Sequence, residues 1–249
     1  MSGELWLLAG GAAVAGLVQG ISGFAFAMVA MSVWVWGIEP RLAAAMAVCG
    51  GLLGQCIQLF TVRRGLRPGA LLPFVLGGLA GVPLGVWALP HLNPALFKAT
   101  LGLFLVLCCP MMLWADRLPR VTVGGRWADG LVGMLGGVMG GIAGFSGVLP
   151  SLWVTLRGWD KDLQRGVIQN FSLAALAATL LAYIVSGALT ADMASKFAVV
   201  APAMLLPSLI GARIYHGLSP AAFRRVVLLL LSAAGVAMVV AGLPALLHR

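Results

Sequence analysis

The side chains that could do chemistry in this sequence are few and uncharged. Gln19, Ser22, Gln55, Gln58, Ser146, Gln169, Asn170 and Ser172 stand inside long apolar stretches. Amides and hydroxyls donate hydrogen bonds, and the oxygens of a small anion are a natural recipient. No Asp or Glu falls deep inside any stretch, so the familiar carboxylate proton relay is not expected. Ser22 and Ser146 each sit in Gly-x-Ser-Gly, at Gly20–Gly23 and Gly144–Gly147, a pattern that can present a serine nucleophile. That chemistry requires a base within hydrogen-bond reach. His91, His216 and His248 all fall at stretch ends or in loops, so an intramembrane serine hydrolase is the weaker reading and no catalytic residue is assigned. Cys49, Cys56, Cys108 and Cys109 form no Cys-x-x-Cys pair, and buried free thiols with no metal site and no cofactor are expected.

The elements that position these groups follow from composition. Of 249 residues, 61% are hydrophobic and only 9% charged. A soluble domain usually carries about 25% charged residues, so the solvent implied is lipid. The charges punctuate eight uncharged runs: Leu5–Ile38, Leu42–Val62, Pro68–Phe97, Ala99–Ala115, Gly130–Leu156, Gly166–Ala191, Phe197–Ala212 and Val226–His248. Each is near or above the ~17–25 residues of a spanning helix. The first is too long for a signal-peptide core and reads as structure. The net charge of +9 reads as basic loops that set membrane orientation, with no nucleic-acid partner. Trp6, Trp34, Trp36, Trp114, Trp127, Trp153 and Trp159 lie near run ends and read as interface anchors.

The chain repeats itself. Gly20-Ile-Ser-Gly-Phe24 matches Gly141-Ile-Ala-Gly-Phe145, and Glu39-Pro-Arg-Leu42 matches Asp160-Lys-Asp-Leu163, both at an offset of 121 (residue 141 against residue 20). Leu92-Asn-Pro-Ala-Leu-Phe-Lys98 matches Leu218-Ser-Pro-Ala-Ala-Phe-Arg224. Asn93-Pro94 and Ser219-Pro220 each read as a helix cap followed by proline at the first helical position. Residues 1–115 and 128–249 are therefore read as two membrane repeats, joined by a basic cytoplasmic linker at 116–127.

Each repeat opens on a run too long to cross once. Leu5–Ile38 would be about 51 Å as a straight helix and Gly130–Leu156 about 40 Å, against a hydrocarbon core of ~30 Å. Both have glycines at their centres. If every run crosses once, Lys and Arg divide evenly between the two faces. If Gly130–Leu156 enters and returns on one side, Arg63, Arg64, Arg67, Arg117, Arg120, Arg126, Arg157, Lys161, Arg165, Arg213, Arg224 and Arg225 share a face. Only Arg41, Lys98, Lys196 and Arg249 are then left for the other. That asymmetry is the one the positive-inside rule expects. By symmetry the first run takes the same shape. The fold expected is all-α and integral to the membrane, with two inverted repeats, each a broken or re-entrant helical hairpin plus three transmembrane helices. Both termini are expected outside the cytoplasm, in the periplasm of a bacterial inner membrane.

A helix that restarts at membrane depth turns free N–H groups toward the gap, and discontinuous helices form the binding sites of many inverted-repeat transporters. The helices are expected to restart near Phe24 and Ser146. The substrate-binding residues expected are Gln19, Gly20, Ser22, Gly23, Phe24 and Gln55 from the first half, with Gly141, Gly144, Phe145, Ser146, Gly147, Gln169 and Asn170 from the second. The bland alternatives are specific. Gly77, Gly81 and Gly85 read as helix packing, and Gln169-Asn170 could equally be interhelical glue.

The glycine-rich pair Gln19-Gly20-Ile21-Ser22-Gly23-Phe24 and Gly140-Gly141-Ile142-Ala143-Gly144-Phe145-Ser146-Gly147 resembles the TauE/SafE family of bacterial inner-membrane exporters. So do the short charged loops that open the next helices and the Asn93-Pro94 and Ser219-Pro220 starts. The resemblance covers essentially the whole chain. It implies export of sulfite or a small organosulfonate such as sulfoacetate. Where the family commonly shows a Gly-Thr-Ser-like stretch, this chain holds Val48-Cys49 and Gln169-Asn170. The leading expectation is a secondary transporter for a small anion working by alternating access, with the lipid bilayer as its other partner; a passive anion channel is the alternative. The sequence leaves the oligomeric state open, a homodimer included.

Overall fold

Backbone N–H and C=O groups inside a bilayer must be satisfied within the protein, which leaves helices as the default for runs this apolar. A computed structural model describes residues 2–23, 25–61, 67–115, 119–214 and 220–247. Those residues form ten α-helices and no strand. They are α1 (Ser2–Ser22), α2 (Phe26–Trp34), α3 (Pro40–Thr61), α4 (Pro68–Ala88), α5 (Pro94–Trp114), α6 (Gly125–Ala143), α7 (Val148–Leu156), α8 (Lys161–Val185), α9 (Ala191–Ile214) and α10 (Pro220–Leu247). Seven of them, all but α2, α6 and α7, are long and apolar enough to cross a membrane. The chain is an all-helical integral membrane protein.

The long runs are broken. α1 ends at Ser22 and α2 restarts at Phe26; α6 ends at Ala143 and α7 restarts at Val148. Both restarts fall two residues beyond the expected positions. At each break the backbone turns through a left-handed glycine, Gly23 with φ 90° and Gly144 with φ 76°. Any other residue would be strained there.

Each short helix folds back along its long partner. Trp34, at the end of α2, donates its indole N–H to Leu7 O at 3.2 Å and Leu8 O at 3.3 Å. Trp153 of α7 donates to Asp129 Oδ1 of α6 at 2.7 Å, and Arg157 lies 3.8 Å from Asp129 Oδ2. Leu8 and Asp129 are separated by the same offset of 121 as the sequence repeat. From each of them to its tip the helix rises about 21 Å, so the two hairpins are equally deep. Two expectations are corrected here. Trp34 is fully buried and fastens a hairpin mouth instead of anchoring at an interface. Asp129, a charge taken to bound an apolar run, is only 3% exposed.

The most extensive helix pairings are α4 with α6, α1 with α9, and α5 with α10; α3 also packs on α8. Exchanging α1 for α6, α3 for α8, α4 for α9 and α5 for α10 leaves this pattern unchanged. Glycine permits the closest of these contacts. A Cβ added at Gly77, Gly81 or Gly85 of α4 would collide with the carbonyls of Gly130, Met134 and Val138 on α6. One at Gly16 or Gly20 of α1 would meet the carbonyls of Met204 and Ser208 on α9. Backbones in such contact gain van der Waals attraction that lipid-facing side chains cannot match.

Two helix starts form as their sequences dictate. Asn93 Oδ1 accepts from Leu96 N at 2.8 Å and Asp160 Oδ1 from Leu163 N at 2.9 Å, each capping a first turn. Ser219 lies outside the described residues. The four cysteines are free thiols, with Cys108 and Cys109 buried and Cys49 and Cys56 half-buried.

Candidate functional site

Four glutamines converge on the first hairpin tip. Gln55 Nε2 of α3 donates to Gly23 O at 2.9 Å. Gln58 Nε2, one turn further along α3, donates to Gln19 O at 3.2 Å. Gln169 Nε2 of α8 donates to Gln58 Oε1 at 2.9 Å. All four side chains, Gln19 included, are buried. A buried amide left unbonded costs about 1–3 kcal/mol, so this mesh fixes the tip against α3 and α8 while keeping a polar patch inside an apolar bundle.

The tip also consumes some of its own main-chain donors. Ala25 N donates to Ser22 Oγ at 3.3 Å and Phe26 N to Gln19 Oε1 at 3.0 Å. The restarted helix therefore offers fewer open N–H groups than the break alone suggests, and the adjoining side-chain amides take on more of the polar role. Phe24 lies outside the described residues.

The second tip is apolar. A Cβ at Gly144 would stand 3.2 Å from Ala27 Cβ and 3.4 Å from Val48 N. Phe145 is buried with its ring centroid 5.5 Å from that of Phe104. Ser146 is buried, its Cβ facing Gly140, and Gly147 is the residue before α7. A Cβ at Gly23 would in turn lie 3.2 Å from Gln58 Oε1 and 3.6 Å from Gln169 Nε2. Each tip thus meets the helix that follows the other hairpin, at Gln169 and at Val48, positions that again differ by 121.

The structure thus brings Gln19, Ser22, Gly23, Gln55 and Gln169 together and gives the other described residues of the expected set different partners. Gly20 packs on α9 and Gly141 on α4. Asn170 turns back to donate to Gly166 O of its own helix at 2.8 Å. Ser146 lies at the other tip, and the one described histidine, His91, bonds instead to Trp87 O at 2.8 Å. His216 lies outside the described residues. Tyr183, not singled out by the sequence, is buried and donates to Gly141 O at 2.6 Å, steadying the second hairpin. Its only sequence signal is a phenol inside an apolar run.

Spanning helices that enclose two broken hairpins define a polytopic membrane protein of the kind that carries solutes. This chain belongs to the sulfite exporter TauE/SafE family, whose model matches residues 8–238. It is therefore a member of a membrane transporter family. Comparison with curated proteins and with solved structures gives no match for the chain.

Proposed function

We propose that this protein is a secondary transporter that exports a small anion, sulfite or a short organosulfonate, across the bacterial inner membrane. The observation that carries the reading is the first tip: a broken helix bordered by buried, uncharged amides on two further helices. Neutral donors can hold an anion without the deep desolvation cost of a buried counter-charge, and a weakly held substrate leaves readily.

The two halves, 1–115 and 128–249, act as inverted repeats that rock to alternate access. Contacts at the bundle ends support this. Lys196 pairs with Glu4 at 2.8 Å, and Lys98 lies 4.5 Å over the Trp36 ring, both near the first hairpin's mouth. Arg126 bonds to Gly69 O at 3.2 Å, and Val121 N to Leu156 O at 2.9 Å, near the second mouth. The second mouth is the basic end and on this reading faces the cytoplasm, with both termini periplasmic.

Flux in proteoliposomes loaded with sulfite or short sulfonates tests the proposal. Saturable efflux with counterflow is expected. Absence of saturable flux for every small anion overturns it, and current that never saturates points to a channel.

A further inference from the structure

The orientation of the glutamine amides is fixed by groups that can only accept. Gln19 O, a carbonyl, faces Gln58 Nε2, so Gln58 presents Oε1 to Gln169. Gln169 must then donate from Nε2, and its Oε1 is turned away from the mesh. That oxygen is buried with no hydrogen-bond partner among the described residues. Three residues on, along the same face of α8, the Ser172 hydroxyl is also buried and unpartnered. Gln169 is 3% exposed and Ser172 2%. Orphaned buried polar atoms are costly in a native protein and call for an occupant. Gln169 Oε1 can only accept, so the occupant must bring a donor; the Ser172 hydroxyl beside it can accept as well as donate.

Charge narrows its identity. Among the described residues, Asp129 is the one buried charged side chain, and it is engaged by Trp153 and Arg157 at the second mouth. Among the described residues no buried cation stands beside the glutamines, so a doubly charged anion would be poorly accommodated there. The feature is also one-sided. The residues 121 positions before Gln169 and Ser172 are Val48 and Gly51, neither of which carries a polar side chain, and a Cβ at Gly51 would face the Leu176 side chain.

We propose that Gln169 and Ser172 form a specificity element that accepts a hydrogen bond from the transported monoanion, which carries an O–H or N–H group as well as its anionic oxygens. This rests on the transporter reading and adds a requirement to it. A protonated monovalent oxyanion satisfies the requirement, as does a sulfonate bearing a hydroxyl or amino group. Sulfate and simple alkylsulfonates do not.

The test compares 2-hydroxyethanesulfonate with propanesulfonate, two monoanions of similar size that differ by hydroxyl against methyl. Binding to the full chain in lipid nanodiscs is measured by calorimetry. The hydroxyl compound is expected to bind about tenfold more tightly, the scale of one buried hydrogen bond. In Ser172→Ala and Gln169→Leu the preference falls to within about twofold. Ser172→Ala removes an unpartnered hydroxyl and strands nothing, so it reads out even where Gln169→Leu fails to fold. Equal affinities in the wild type overturn the inference, as does a preference that survives both substitutions. If neither compound nor sulfite binds, the transporter reading falls and this inference with it. Sulfite flux with no hydroxyl preference removes this inference alone.

Discussion

Gln169 Nε2 donates to Gln58 Oε1 at 2.9 Å, joining α8 to α3 between residues 111 apart in sequence. Gln58 in turn holds Gln19 at the broken tip. The mesh therefore ties the second half of the chain to the interrupted helix of the first. Replacing Gln58 with Leu leaves Gln169 Nε2 without its acceptor, at about 1–3 kcal/mol. Gln58→Leu and Gln169→Leu should each lower the melting temperature and cut sulfite flux about tenfold or more. Because the two residues share one hydrogen bond, the double variant should be less damaged than the sum of the singles. Strict additivity in a thermal double-mutant cycle would show that the pair is not coupled.

Gly23 and Gly144 occupy left-handed backbone, which costs other residues roughly 1–2 kcal/mol before any side chain is placed. Gly23→Val and Gly144→Val should abolish transport in protein that still inserts and can be purified. Gly81 is a contrast: its Cβ would collide with Met134 O, so Gly81→Val should reduce folded yield itself. Normal flux from either tip variant would remove that tip from the transport cycle.

The two hairpin mouths are closed by different chemistry. Trp34→Phe deletes an N–H shared by two carbonyls and should cost about 1 kcal/mol of stability. Trp6, 78% exposed, should tolerate the same change within about 0.5 kcal/mol. Asp129→Leu strands both the Trp153 indole and Arg157, and should cost about 2 kcal/mol or more, whereas Asp129→Asn keeps an acceptor for Trp153. Chemical denaturation in matched detergent separates these cases.

A Cβ at Gly158 would touch Arg120 at its Cδ, 2.7 Å away, which puts the linker and the end of α7 side by side. Single cysteines at positions 120 and 161 should therefore react with an impermeant thiol reagent from the same face of the membrane. Labelling from opposite faces would mean that the segment from Gly125 to Leu156 crosses completely.

Hydropathy and glycine placement made much of this fold legible. The broken runs were readable because they are longer than a bilayer is thick, and the Asn93 cap because an amide side chain followed by proline starts a helix locally. The pairing of helices was not readable. In lipid both the core and the exterior are apolar, so Gly20 and Gly141 look alike whether they face a substrate or another backbone, and here both face backbone. For the same reason Gln169 and its neighbour Asn170 are equivalent in sequence, yet only Gln169 points toward α3. Asp129 was hidden by its place one residue before an uncharged run, where its partners Trp153 and Arg157 come from a helix that has doubled back.

Every extensive helix pairing joins an early segment to a late one: α1 to α9, α4 to α6, α5 to α10. An amino-terminal fragment cut in the linker would leave the ribosome with its glycine faces bare and nothing of its own to cover them. Two fragments made from separate transcripts should accumulate only when co-expressed, each acting as the other's assembly factor. During synthesis of the intact chain, the first five helices must wait in the membrane, loosely held, until their complements arrive.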